Sequence, residues 1–153
     1  MTPAMVASCL DNLLSPQAKR VYVVIFNPNV QQVLLVRQRH AHQRNQVAWG
    51  FPGGHREPAE TAMAAAAREV YEETGFQLQT ESLVPILDTE QGTLFYYYQD
   101  TTLDWNTLHQ SAQTRTDVRE IDAWWWGSWH DVIHEDVLPM VGTVMQHIWS
   151  LLD

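Results

Sequence analysis

Glu69, Glu72 and Glu73 are the side chains of this chain best suited to chemistry. Their spacings of three and four place the carboxylates on one helical face, because residues three and four apart are neighbours on a helix. Val70, with Met63 and Ala67 behind it, marks a separate apolar face. Like charges so close destabilise an isolated helix by roughly 0.2–0.5 kcal/mol per pair. A hard divalent cation relieves the repulsion, since Mg²⁺ and Mn²⁺ take oxygen ligands and favour grouped carboxylates. Such a site can hold a polyphosphate when metal ions lie between the two negative surfaces.

The elements that must position these carboxylates are legible on either side. Trp49-Gly50-Phe51-Pro52-Gly53-Gly54 gives a tight backbone path in which carbonyls can face a ligand, since glycine presents no Cβ. Pro58 follows in the approach, and Thr61 is a suitable N-cap. The run Ala62 to Ala67 has near-optimal helix-forming composition. Gly75 fits the left-handed position that ends a helix. The segment therefore reads as loop, helix and turn.

Residues 54–76 also resemble the Nudix box, written G-x5-E-x7-R-E-U-x-E-E-x-G-U with U a bulky aliphatic. Gly54, Glu60, Arg68, Glu69, Val70, Glu72, Glu73 and Gly75 fill its fixed positions; Phe76 replaces the final aliphatic, a change of packing residue. The resemblance implies an α/β fold, the Nudix-type α/β/α sandwich with a mixed β-sheet. It also implies metal-dependent hydrolysis of a nucleoside diphosphate linked to another group, by attack of water on phosphorus. By the same resemblance Glu72 and Glu73 are the main ligands of Mg²⁺ or Mn²⁺, with the Gly53 carbonyl as a further one. Glu69 matches a position that is either ligand or general base. Arg68 orients these glutamates by ion pairing, and Glu60 supports the loop. Outside the box, Arg39 sits where related triphosphatases place a phosphate-binding arginine. Glu120 precedes Trp124-Trp125-Trp126 as an auxiliary base or ligand, with Asp117 its rival. The base stays open among Glu69, Glu120 and another acid. Activity is expected to need added metal and to rise with pH.

Bulk properties set the frame. A chain of 153 residues with 45% hydrophobic content and seven tryptophans suits one globular domain over 1–153, with 1–18 as an arm or short helix. The net charge of −9 argues against a nucleic-acid duplex as partner, because phosphate-backbone binding needs a basic footprint. A small nucleoside polyphosphate remains compatible, and a homodimer is left open. Cys9 is the one cysteine, which excludes an internal disulfide and a Cys-based metal site. No basic residue precedes Lys19, Asp11 interrupts the first apolar run, and no run reaches the roughly 18 apolar residues of a membrane span. A soluble cytoplasmic enzyme is the expectation.

Strands are expected over Arg20–Phe26 and Val33–Arg37, joined at Asn27-Pro28-Asn29, then over Glu81–Leu87, Thr93–Tyr98 and Glu120–Trp126. His40–Ala48 reads as a loop, in which His40 and His42 could border the substrate but are favoured as solvated, and Asp100–Thr116 reads as a longer one anchored by Trp105. Apolar residues at helical spacing predict a closing amphipathic helix over Asp136–Leu152. Tyr96-Tyr97-Tyr98 and Trp124-Trp125-Trp126 should alternate between the faces of a sheet, most rings packing and one or two free to stack on a nucleobase, as could Trp49 beside the glycine loop. His130 and His134 read as a surface pair.

The box leaves the substrate open. The proline marking ADP-ribose hydrolases is replaced in its region by Glu90 and Gln91, the tyrosine of diadenosine polyphosphate hydrolases falls slightly before Tyr96, and Leu34-Leu35 with Arg37 echo the coenzyme A motif at the wrong spacing. Elimination and small size favour a nucleoside or deoxynucleoside triphosphate, cleaved to monophosphate and pyrophosphate. The alternatives are a nucleotide-sugar or dinucleoside polyphosphate hydrolase, or a non-catalytic nucleotide sensor. An isoprenoid diphosphate isomerase would need a catalytic cysteine in the site, and Cys9 matches no such motif.

Overall fold

β-Branched and aromatic residues dominate Arg20–Asn27 (β1), and their alternation sends Val21, Val23 and Ile25 into one core and Val24 and Phe26 into another. The structure, a computed structural model, describes residues 18–102, 121–128, 137 and 139–152. Gln32–Gln38 (β2) returns from β1 through a turn in which the Asn29 amide donates to Asn27 Oδ1 at 3.0 Å. Trp49–Gly50 (β3), Gly53–His55 (β4), Val84–Asp88 (β5), Thr93–Gln99 (β6) and Ile121–Ser128 (β7) complete the strands among the described residues. The α-helices among the described residues are Arg39–Gln43 (α1), Ala62–Thr74 (α2) and Pro139–Leu152 (α3).

All seven strands form one mixed sheet. β6 runs parallel along one edge of β1, from Arg20↔Thr93 to Phe26↔Gln99, and β7 runs antiparallel along β2. The other edges of β1 and β2 meet only at Phe26↔Val33 and Asn27↔Gln32. Beyond that point the two strands part. β3 pairs with β2 at Val36 and Arg37, β4 pairs with β1 at Arg20–Tyr22, and the Val23 amide donates to the Pro52 carbonyl at 2.9 Å. The glycine-rich segment thus crosses a split in the sheet.

One helix covers each face. Ala62, Ala65, Ala66 and Val70 of α2 pack with Leu34, Leu94, Tyr96 and Trp126 on one side; Val141, Val144, Met145 and Ile148 of α3 pack with Leu35, Phe51 and Phe95 on the other. Tyr97 and Trp125 join the α3 side while Tyr96, Tyr98, Trp124 and Trp126 join the α2 side, so the triplets alternate as their period requires. This is the expected α/β/α layering.

Several local expectations are corrected. His40–Ala48 is not a loop throughout, since α1 occupies its first part; so short a helix has no apolar repeat to announce it. Glu81 lies in a 3₁₀ turn over Thr80–Ser82, and the strand starts only at Val84. The buried stripe of α2 is Ala62, Ala65, Ala66 and Val70, while Met63 and Ala67 are half-buried. The closing helix begins at Pro139, where proline's missing N–H is harmless, rather than at Asp136. Cys9, Trp105, Asp117, Glu120, His130 and His134 lie outside the described residues, as does most of the expected loop over 100–116.

Candidate active site

The ends of α2 are fixed by local chemistry. Thr61 Oγ1 accepts from the Ala64 amide at 3.1 Å, and Gly75 ends the helix at φ 76° with its amide on the Tyr71 carbonyl. Two further contacts hold the last turn. The Thr74 hydroxyl donates to the Val70 carbonyl at 2.7 Å, and the Trp124 indole N–H donates to the Glu73 carbonyl at 2.9 Å. Trp124 therefore satisfies a backbone acceptor that the helix end leaves open, and ties β7 to the residue carrying a key carboxylate.

The three glutamates of the helix part company in depth. Glu69 and Glu73 are buried, 6% and 3% exposed, whereas the Glu72 side chain is half exposed. Glu73 Oε2 accepts from the Gly53 amide at 3.0 Å, which locks β4 onto the helix. Glu69 packs its carboxylate against Gly54, where a Cβ would come within 2.7 Å of Oε1. The two glycines thus admit two buried carboxylates to the split in the sheet.

Arg68 is the hub that restrains them. Its Nη2 meets Glu60 Oε1 at 2.6 Å and donates to the His55 carbonyl at 2.9 Å, while Nη1 reaches Glu69 at 3.2 Å and Glu72 at 3.3 Å. The hydrogen bonds from Arg68 hold the Glu60 carboxyl below the usual carboxylate range, against the opposing effect of partial burial. Hydrogen bonding to Glu60, and then to Glu72, raises Arg68 further above its ordinary value, so it stays charged. Glu60 also accepts from the Glu57 amide at 2.9 Å, closing the loop before the helix.

A cavity of about 450 Å³ opens beside Glu69, walled by Tyr22, Gln38, His40, Gly50, Phe51, Gly53, Gly54, His55 and Met140. Tyr22, which sits in an apolar run, is a contributor that the sequence left unmarked; His40, weighed as bordering the substrate but expected in a solvated loop, lies on α1. The Tyr22 ring stacks on Phe95 at 5.6 Å. Burial pushes its phenol up; Arg20 opposes this, and Glu73 and Glu69 add to it, so the hydroxyl stays protonated as a donor.

Arg39 and Trp49 do not reach this wall. The Arg39 guanidinium donates to the Ile121 carbonyl at 3.4 Å, and the Trp49 ring faces a second cavity. Among the described residues no three His, Cys, Asp or Glu side chains converge as a ready metal cage. The donor set still fits a hard ion. Mg²⁺ is commonly held by one or two carboxylates with waters and substrate phosphates rather than by an all-protein cage. Glu69 and Glu73 supply two buried carboxylates beside the Gly53–Gly54 backbone, and Glu72 a third at the rim.

Comparison with known proteins shows the family of the chain and its fold. The family model described as NUDIX domain matches residues 16–144, and the chain belongs to that family. It is 39% identical over 62 residues to a Mus musculus protein named nucleoside diphosphate-linked moiety X motif 6, a match covering 40% of this chain and 19% of the relative. The chain thus spans about a fifth of the length of that relative. Among solved structures it resembles a Caenorhabditis elegans Ap4A hydrolase, at TM-score 0.63 and 20% identity over 88% of this chain and 98% of the other. It also resembles the NUDIX domain of Shewanella oneidensis NrtR, solved with ADP ribose, at TM-score 0.65 and 17% identity over the whole of both chains. Identities this low speak for the fold alone.

Proposed function

We propose that this chain is a Nudix pyrophosphohydrolase, cleaving a nucleoside or deoxynucleoside triphosphate to monophosphate and pyrophosphate. The observation that carries the reading is the pair of buried carboxylates, Glu69 against Gly54 and Glu73 against Gly53, with Glu69 and both glycines lining the cavity. A cavity of about 450 Å³ lies low in the roughly 300–1,000 Å³ range of ligand pockets, which suits one nucleotide better than two. Bound Mg²⁺ or Mn²⁺ would supply positive charge at the phosphates and favour the ionised carboxylates.

The chain's own residues do the rest. Glu69 and Glu73, with Glu72 and the Gly53 carbonyl, would hold the ion. Glu69 is also placed to accept a proton from the attacking water, with Glu120 as the second candidate for that task. Arg68 fixes the direction of Glu69 through its 3.2 Å contact, and the absence of a Cβ at Gly54 gives that carboxylate its room. Arg39 would add a secondary phosphate contact from outside the wall. Little covalent chemistry is asked of the protein in phosphoryl transfer, and positioning with charge stabilisation suffices.

The test is a panel of nucleoside triphosphates, nucleotide sugars and dinucleoside polyphosphates with Mg²⁺ and with Mn²⁺, products resolved by chromatography. Highest kcat/KM on a triphosphate, with pyrophosphate released, is the expected result. Preference for a nucleotide sugar or dinucleotide would move the substrate, and tight binding with no turnover of any member would make the chain a nucleotide sensor.

A further inference from the structure

Glu73 is gripped at both ends. Its Oε2 accepts from the Gly53 amide at 3.0 Å, and its main-chain carbonyl accepts from the Trp124 indole N–H at 2.9 Å. A helix leaves its last four carbonyls without partners of its own, and Glu73 is the penultimate residue of α2. An indole N–H is a donor only, so it has no competing acceptor role. The two grips belong to one closed circuit. Trp124 on β7 is the partner of Val36 on β2, and Val36 is on its other edge the partner of Gly50 on β3. Gly50 leads through Phe51 and Pro52 to Gly53, whose amide returns to the Glu73 carboxylate. The circuit is buried along its length, at Val36, Gly50, Phe51, Pro52 and Gly53. It therefore fixes where the last turn of α2 lies against the glycine strand, and with it where the Glu73 carboxylate stands.

We infer that Trp124 is the positioning residue of Glu73: its indole N–H, acting through the Glu73 carbonyl, holds that carboxylate where a divalent cation can be bound. This role rests on the reading of Glu73 as a metal ligand and extends the site to a residue that is not itself a ligand. Partners that orient a metal ligand from behind commonly matter by about 10–100-fold in metal affinity. If the indole contact is lost, the carbonyl end of Glu73 is released from β7 and its carboxylate no longer projects from a fixed base.

β7 carries its own control. Trp126 packs into the same core beneath α2 and is buried, whereas Trp124 is half-buried at its edge. The Trp126 indole N–H has no hydrogen-bond partner among the described residues. Trimming Trp126 therefore costs packing, and trimming Trp124 costs packing and the bond to Glu73. Histidine offers a second separation. Its Nε2 occupies the ring position of the indole nitrogen and can donate, on a smaller and more polar ring than that of phenylalanine.

The experiment is calorimetric titration of the full chain with Mn²⁺ in the absence of nucleotide. It compares wild type with Glu73→Gln, Trp124→Phe, Trp124→His and Trp126→Phe, after thermal melts establish that each is folded. Expected is a loss of about tenfold or more in Mn²⁺ affinity for Glu73→Gln and for Trp124→Phe. Trp126→Phe and Trp124→His should stay within about threefold of wild type, short of the usual effect of losing such a partner. A packing role alone predicts the opposite order, with phenylalanine at 124 better than histidine and Trp126→Phe at least as damaging as Trp124→Phe. That order would overturn the positioning role. So would wild-type affinity in Trp124→Phe beside a loss in Glu73→Gln, a result that leaves the metal site standing. Unchanged affinity in Glu73→Gln would remove the metal reading and the role of Trp124 with it. Should Trp124→Phe fail to fold, Trp124→His decides: near wild-type affinity supports the role, and a loss of about tenfold overturns it.

Discussion

Gly53 and Gly54 are adjacent, yet their replacement by alanine should break different things. A Cβ on Gly54 would stand 2.7, 2.8 and 2.9 Å from Oε1, Cδ and Oε2 of Glu69, and from nothing less mobile at that range. Ordinary contact begins at 3.4 Å, so the carboxylate must retreat by half an ångström or more. A glutamate can do this by rotation, at a cost of about 0.5–1.5 kcal/mol for an off-rotamer side chain. At roughly 2–4 °C per kcal/mol for a chain of this size, Gly54→Ala should lose only a few degrees of Tm. Its catalytic cost is larger, because misplacing a reacting group by about 1 Å can cost on the order of 10²-fold in rate. Gly53→Ala is the reverse case. Its φ of 151° disfavours any side chain, and its Cβ would collide with the Val21 carbonyl oxygen and approach the Tyr22 Cα at 2.7 Å. Backbone cannot rotate aside, so about 3 kcal/mol or more of stability, roughly 6–12 °C, should go with the strain. Thermal melts by circular dichroism and initial rates at saturating Mg²⁺ separate the two outcomes. A Gly54→Ala protein within threefold of wild-type kcat, or one that melts as early as Gly53→Ala, would refute the assignment of that space to Glu69.

Glu73→Gln should keep the fold, since a glutamine oxygen can still accept from the Gly53 amide, yet lose on the order of 10²-fold or more in kcat; retention above about a tenth of wild-type turnover would remove Glu73 from the site. Glu60→Gln should lower stability at neutral pH and leave it unchanged at acid pH. The folded value of Glu60 is lowered from 4.5, so its contribution is present above about pH 4.5 and lost as the pH falls through the lowered value; Tm profiles of wild type and variant should converge below that range. Thiol reagents should leave the rate unchanged, because Cys9 is the chain's one cysteine; inactivation with the fold intact, followed by mass spectrometry of the adduct, would point to thiol chemistry.

What could be read in the sequence was what is encoded locally. Thr61, the alanine run and Gly75 specify α2 through capping, propensity and a left-handed turn, each a matter of a few neighbouring residues. The tyrosine and tryptophan triplets alternate because the strand period is two. Alanine, however, fits either side of a helix, so the buried stripe was assigned to Met63 and Ala67 when Ala62, Ala65 and Ala66 hold it. The difference in depth between Glu69 and Glu72 depends on how the helix lies on β4, which spacing does not specify. Tyr22 and Trp124 reach the site region through the split between β1 and β2 and through β7, both long-range features. Arg68 was expected to orient glutamates, but its bond to the His55 carbonyl is a tertiary fact.

The parallel pairing of β1 with β6 has a consequence for how the molecule comes into being. β1 can close a hairpin with β2 as soon as both exist, but its other edge waits for Thr93–Gln99, and parallel strands require a long crossover before they can meet. Here the crossover contains the glycine strand, the glutamate helix and β5. During synthesis, Val21–Phe26 must therefore remain an apolar strand with one open edge until most of the described site has been made, a state that invites pairing with another nascent chain. Such non-local closure also makes for slow folding. Fragments that stop short of Thr93 should accumulate as insoluble material, and the candidate site should mature only when β6 zips onto β1.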